Sequence, residues 1–125
     1  EEVGMSSVLL DNVSNTYLNS FCFGYRLNNF NTLDPYFARF YFRSFQMRDK
    51  ISRLAQGSTR FNLSKNEIMK LKIKLPSLPE QQKIAEVLSL ADDEINLLKN
   101  ELEELKLQKK ALMQKLLTGQ VRVKV

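Results

Sequence analysis

From Ile84 onward, Leu88, Ala91, Ile95, Leu98, Leu102, Leu105, Lys109, Leu112 and Leu116 recur in alternating steps of four and three residues. That is an a/d heptad with Ile84 at d and Leu88 at a, interrupted only by Lys109. A 3.5-residue period held over this length specifies one long helix with a narrow apolar seam, which an ordinary globular helix does not have. At 1.5 Å per residue, such a helix of ~40 residues extends roughly 60 Å, more than a small domain can cover. The seam therefore calls for a second helix.

Both ends of the run carry stop and start chemistry. Ser77 and Glu80 have capping-box spacing, and Pro79 falls in the first turn, where a missing N–H costs nothing. Gly119, after Leu117 and Thr118, suits a left-handed position just past the helix. Asp92, Asp93, Glu94, Glu101, Glu103 and Glu104 crowd the first part, and Lys106, Lys109, Lys110 and Lys115 the last. A parallel copy would set acid beside acid, whereas an antiparallel copy sets acid beside base. The charges favour antiparallel pairing.

Several function classes fall away on composition. The chain has no His, which removes Ser-His-Asp and Cys-His catalysis and any His-containing zinc site. Neither a G-x-G-x-x-G fingerprint nor a Walker loop is present. The lone Cys22 has no internal disulfide partner, so a reducing compartment, the cytoplasm, is expected. No apolar run is long enough to span a bilayer, so no membrane is expected among the partners. A net charge of +5 is compatible with nucleic acid without requiring it.

Residues 1–76 precede the helix and amount to about half a typical domain. Residues 7–10 read as a short strand followed by turn chemistry over 11–15, and Phe21, Phe23, Tyr25 and Leu27 alternate as a half-buried strand ending at Asn28-Asn29. Asp34-Pro35 opens a helix expected to run to Gly57, with Phe37, Phe40, Tyr41, Phe45, Ile51 and Leu54 on its inner face. Ser64 and Glu67 form a second capping box heading a short helix through about Lys70. Leu71, Ile73 and Leu75 then alternate with Lys72 and Lys74 as a strand stopped by Pro76, and 121–125 alternate once more as an edge strand.

Two groups of polar residues can carry binding chemistry. Gln56, Ser58, Thr59, Arg60, Asn62 and Lys65 lie in and beside an inter-helix loop. There Arg or Asn can meet a base edge, and Ser, Thr or a helix N-terminus a phosphate. The plainer account is one helix end followed by one helix start, the side chains satisfying backbone. Arg39, Arg43, Arg48 and Arg53 could track phosphates, yet their spacing winds around the helix and does not form one stripe. Asp92, Asp93 and Glu94 read as a solvated face before they read as a carboxylate site. Lys109 at an a position is either a register device, its stem reaching past the seam to an acid, or a tolerated defect.

Residues 54–98 closely resemble the end of a target-recognition domain running into the conserved helix of the specificity subunit of type I restriction-modification enzymes. The resemblance rests on Gly57-Ser58-Thr59, Asn62-Leu63-Ser64, the Ile-x-Leu-Pro-x-Leu-Pro-Glu-Gln-Gln segment at 73–82, and Leu116-Leu117-Thr118-Gly119. It is good over 54–119 and loose over 1–53, where a variable recognition sequence would lie. It implies two recognition domains per subunit, each followed by a long helix, with the two helices paired antiparallel. It further implies double-stranded DNA, modification subunits carrying S-adenosylmethionine and a restriction subunit as partners. This chain carries one such unit. The absence of an initial Met and the Thr-Gly-x-x-Arg-Val ending imply a C-terminal half whose recognition domain lacks its start.

The expected fold is α+β: a small mixed recognition domain at 1–76, a coiled-coil-forming spacer helix at 77–118 and a tail at 119–125. The expected function is sequence-specific DNA recognition without catalysis or a cofactor in this chain. The alternatives are a coiled-coil adaptor that reads no DNA, and RNA binding.

Overall fold

The computed structural model describes residues 3–57 and 61–124. Four helices follow one another: α1 (Pro35–Tyr41), α2 (Phe45–Ser52), α3 (Lys65–Met69) and α4 (Leu78–Leu117). The chain divides into two compact units, Glu1–Glu86 and Val87–Val125, so the first turns of α4 belong to the first unit.

The expected helix over 35–57 is in fact two. Asp34 caps α1 as its spacing predicts, its Oδ1 accepting the Phe37 N–H at 2.8 Å, with Pro35 in the first helical position. Ser44 then interrupts the run. It takes extended backbone angles and its Oγ accepts the Met47 N–H at 3.4 Å, so a new helix starts there. The break changes which side chains of α2 turn inward: Phe45, expected inside, is 87% exposed, while Met47 and Ile51 are buried. A short Ser side chain that competes for backbone is the physical cause. At α3, Ser64 occupies the cap position but makes no side-chain cap bond, and Glu67 pairs with Lys70 at 2.7 Å. The second capping box does not form.

The α+β expectation is also corrected. Among the described residues the only β pairing is one isolated antiparallel bridge, Gln56 to Asn62. Two of the expected strands have a local reason for forming no ladder. The Phe21 N–H bonds the Asn19 side chain at 3.0 Å and the Cys22 N–H bonds the Asn19 carbonyl at 3.1 Å, so a turn replaces the start of the second strand, and Phe21 is left 81% exposed. In the tail, the Val121 N–H returns to the Lys115 carbonyl at 3.1 Å to finish α4, with Gly119 in the expected left-handed conformation. Segments 7–10 and 71–75 keep the alternating burial of a strand: Val8, Leu10, Leu71, Ile73 and Leu75 are half-buried while their neighbours are exposed. Among the described residues they lack only a partner strand.

The core of the first unit gathers Leu33, Phe37, Ala38 and Ala85, with Val8, Leu27, Tyr41, Phe42, Leu75 and Ile84 packed around them. Phe37 stacks on Tyr41, and Phe42 meets both Tyr41 and Tyr25 edge-on. A second, smaller contact forms around Met47 and Ile51. There Gly4 has φ +69, and any Cβ would press on the Ile51 and Leu63 side chains. Arg48 closes this region by donating to the Val3 carbonyl at 2.6 Å.

Gln81 joins the pieces. It is 1% exposed, the one buried polar side chain among the described residues. Its Nε2 donates to the carbonyls of Thr32 (3.0 Å) and Pro76 (2.9 Å), and its Oε1 accepts the Asp34 N–H at 2.9 Å. One amide thus satisfies the segment before α1, the end of the 71–76 segment and the start of α4. Gln81→Leu should strip three part-buried backbone groups of their partner at once and cost about 2 kcal/mol, read as a lowered urea midpoint. Gln81→Glu should be similarly poor at neutral pH, since a carboxylate cannot donate to two carbonyls. Burial beside those carbonyls raises that carboxyl's pKa, so the variant should regain stability as pH falls toward about 5.

Candidate nucleic-acid interface

The loop singled out by sequence is closed at its base by a hydrogen-bonded pair. The Gln56 N–H donates to the Asn62 carbonyl at 3.0 Å and the Asn62 N–H to the Gln56 carbonyl at 2.9 Å. Directly opposed residues in an antiparallel pair put their side chains on the same face. Two exposed primary amides are therefore presented side by side. Gly57, next along, takes φ +129, which non-glycine residues rarely adopt. Ser58, Thr59 and Arg60 lie outside the described residues. Lys65 is exposed in the first position of α3, three residues beyond Asn62.

An Asn or Gln amide pairs with the N6/N7 edge of adenine through one donor and one acceptor, and a lysine supplies a point charge for phosphate. The Gln56–Asn62 pair thus has the donor and acceptor set that base-edge contacts need. The arginines of α1 and α2 do not make a common surface. Arg39 lies over the Phe40 ring at 4.8 Å, Arg48 turns inward to the Val3 carbonyl, and Arg53 pairs with Asp49 at 2.8 Å. Arg43 is exposed in the turn between the helices.

The heptad residues divide. Ile84 is half-buried against the core of the first unit. Leu88, Ala91, Ile95, Leu98, Leu102, Leu105, Lys109, Leu112 and Leu116 are all exposed along α4. Lys106 holds Glu103 on its own helix at 2.7 Å. Sequence reasoning missed Gln81, whose signal was its place one turn ahead of Ala85 on the face that packs inward. Tyr41 packs on the inner face as expected, but the bond that its hydroxyl donates to the Lys74 carbonyl at 3.2 Å was not foreseen. Both hold backbone groups in place. No group of three or more carboxylate or Cys side chains that could hold a metal occurs among the described residues. No helix among them is long and apolar enough to cross a membrane.

Residues 4–107 match the family described as the type I restriction modification DNA specificity domain. Among curated proteins, the chain is 37% identical over 97 residues to a putative type I restriction enzyme MjaX specificity subunit from Methanocaldococcus jannaschii. It is 33% identical over 92 residues to the type I restriction enzyme MjaVIII specificity subunit of the same organism. These alignments cover 78% and 74% of this chain and 22% of each relative. The chain thus spans about a fifth of the length of the curated relatives it matches. No solved structure matches it.

The pair at the loop base makes its own prediction. Asn62→Pro removes the N–H that bonds the Gln56 carbonyl and should cost about 1 kcal/mol. Hydrogen exchange should then show the slowed Gln56 amide of the parent protein become fast. An unchanged Gln56 rate would mean that the pair does not hold the loop.

Proposed function

Because the chain belongs to the type I restriction modification DNA specificity family, we propose that it serves as a DNA-reading element of a type I restriction-modification assembly in the cytoplasm. The observation that carries this reading is the family match over 4–107, which takes in both the loop at 56–65 and most of α4. In this reading the first unit recognises one half of a split duplex target. The chain itself performs no chemistry: modification subunits carrying S-adenosylmethionine methylate, and a restriction subunit cleaves.

The amide pair and the basic residues of the loop suit that role by dividing labour, base edges to one set and phosphates to the other. Arg60→Ala tests the division. It should weaken binding to duplex DNA while leaving the melting curve nearly unchanged. A base contact would appear as about 1–3 kcal/mol of lost discrimination at one target position, a phosphate contact as uniform weakening of all sequences. Earlier melting in place of weaker binding would return the loop to a purely structural role.

The exposed row from Leu88 to Leu116 supports the second half of the proposal, antiparallel pairing of α4 with another spacer helix. About a centre near Asn100, Lys106 of one helix meets Glu94 of the other, and Lys109 meets Ala91 and Asp92. Each exposed ion pair contributes only ~0.2–1 kcal/mol, so the leucines supply stability and the charges choose direction. In a Cys22→Ser background, where the one native thiol is gone, copies carrying Glu94→Cys and Lys106→Cys should cross-link 94 to 106. Efficient 94-to-94 cross-linking would mean parallel helices. An adaptor that reads no DNA would pair in the same way but bind no duplex.

A further inference from the structure

The extended segment at 71–75 carries a feature that the loop does not account for. Leu71, Ile73 and Leu75 are half-buried, and Leu75 packs against the core, so Lys72 and Lys74 between them are exposed on the outer side. The backbone beneath them is anchored. The Tyr41 hydroxyl bonds the Lys74 carbonyl at 3.2 Å, the Leu71 N–H bonds the Ile68 carbonyl at 3.1 Å, and Gln81 holds the Pro76 carbonyl at 2.9 Å. Alternate residues of extended backbone lie about 6.7 Å apart. That is close to the separation of neighbouring phosphates on one strand of B-DNA, roughly 6.5 Å once the helical twist is added to the axial rise of about 3.4 Å. Charge is concentrated here as well: residues 60–74 contain Arg60, Lys65, Lys70, Lys72 and Lys74 against the single acid Glu67, which is already paired with Lys70.

We propose that Lys72 and Lys74 form a phosphate-contacting strip for duplex DNA, separate from the 56–65 loop and blind to sequence. The inference rests on the DNA-reading role above and adds a second contact to it. Lysine suits the task, because a flexible stem ending in a point charge neutralises phosphate without demanding a bidentate geometry. The anchored backbone means that the two stems start from a fixed line, so the strip sets register on the duplex while the loop discriminates.

The test is the salt dependence of duplex binding, measured on the full-length specificity polypeptide with its modification subunit. Two released counterions correspond to a loss of about 1.8 from the slope of log affinity against log salt. For Lys72→Gln/Lys74→Gln, the deficit against the parent should therefore shrink about tenfold between 50 and 200 mM salt. The ranking of target sequences should stay the same. Lys110→Gln/Lys115→Gln on α4 should leave the slope unchanged. A parent-like slope for the 72/74 variant overturns the strip while leaving the DNA-reading role standing. An altered ranking of targets overturns it too, because the residues would then be reading bases. If the unsubstituted protein binds no duplex even at 50 mM salt, the strip and the role beneath it fall together.

Discussion

One buried amide holds the first unit together. Gln81 lies inside with three polar neighbours: its N–H₂ donates to two carbonyls, and its carbonyl accepts one N–H. That arrangement fixes which end of the amide is which. The groups it satisfies come from residues 32–34 and 76, some fifty and five positions away along the chain. A backbone polar group that loses water without gaining a partner costs more than a hydrogen bond returns, so meeting at Gln81 favours the packing of these segments. The apolar contacts of Leu33, Leu75, Ile84 and Ala85 lie around the same point, adding area to what the amide specifies.

The sheet that the alternating segments promise does not form among the described residues, for a reason visible in individual side chains. Period-two alternation describes which side chains turn inward; it does not supply the neighbouring strand that a ladder needs. Segment 71–75 shows the distinction most clearly, since it has the burial pattern of a strand and none of the pairing. Tyr41 takes the Lys74 carbonyl and Gln81 the Pro76 carbonyl, so polar side chains meet backbone groups that a second strand would otherwise meet. At Asn19 and at the end of α4, local turns capture the N–H groups first. Local capture is fast and close at hand; a distant strand must overcome loop-closure entropy before it contributes anything.

What could be read from the chain was therefore chemistry with a short range. The Asp34-Pro35 helix start, the left-handed Gly119 and the helix from 78 to 117 were all legible because cap, dihedral and period act within one or two turns. The break at Ser44 had the same kind of signal, a helix-capping residue, hidden inside an otherwise continuous aromatic run. The hydrogen bonds of Gln81 to Thr32 and Asp34 and of Tyr41 to Lys74 were illegible for the opposite reason: these partners are 33 to 49 residues distant, and no spacing rule reaches that far. At the candidate interface, the loop residues were identifiable by type, but the pairing of Gln56 with Asn62 that sets two amides side by side emerged only from the fold.

The charge distribution connects the two halves of the chain's work. Residues 60–74 hold five basic side chains and one acid, whereas 87–125 hold seven basic and six acidic, segregated along the helix. A phosphate backbone is attracted by the first arrangement. The second offers it little net charge, with Asp92, Asp93 and Glu94 repelling it outright. In the antiparallel pairing proposed above, those same acids would lie opposite lysines. Ile84 and Ala85 mark the handover between the two regimes on α4. Their apolar groups are used by the core of the first unit, and the heptad continues from Leu88 with side chains left exposed. One helix thus begins as part of a folding core and continues with its apolar row exposed, although a single heptad runs through both parts.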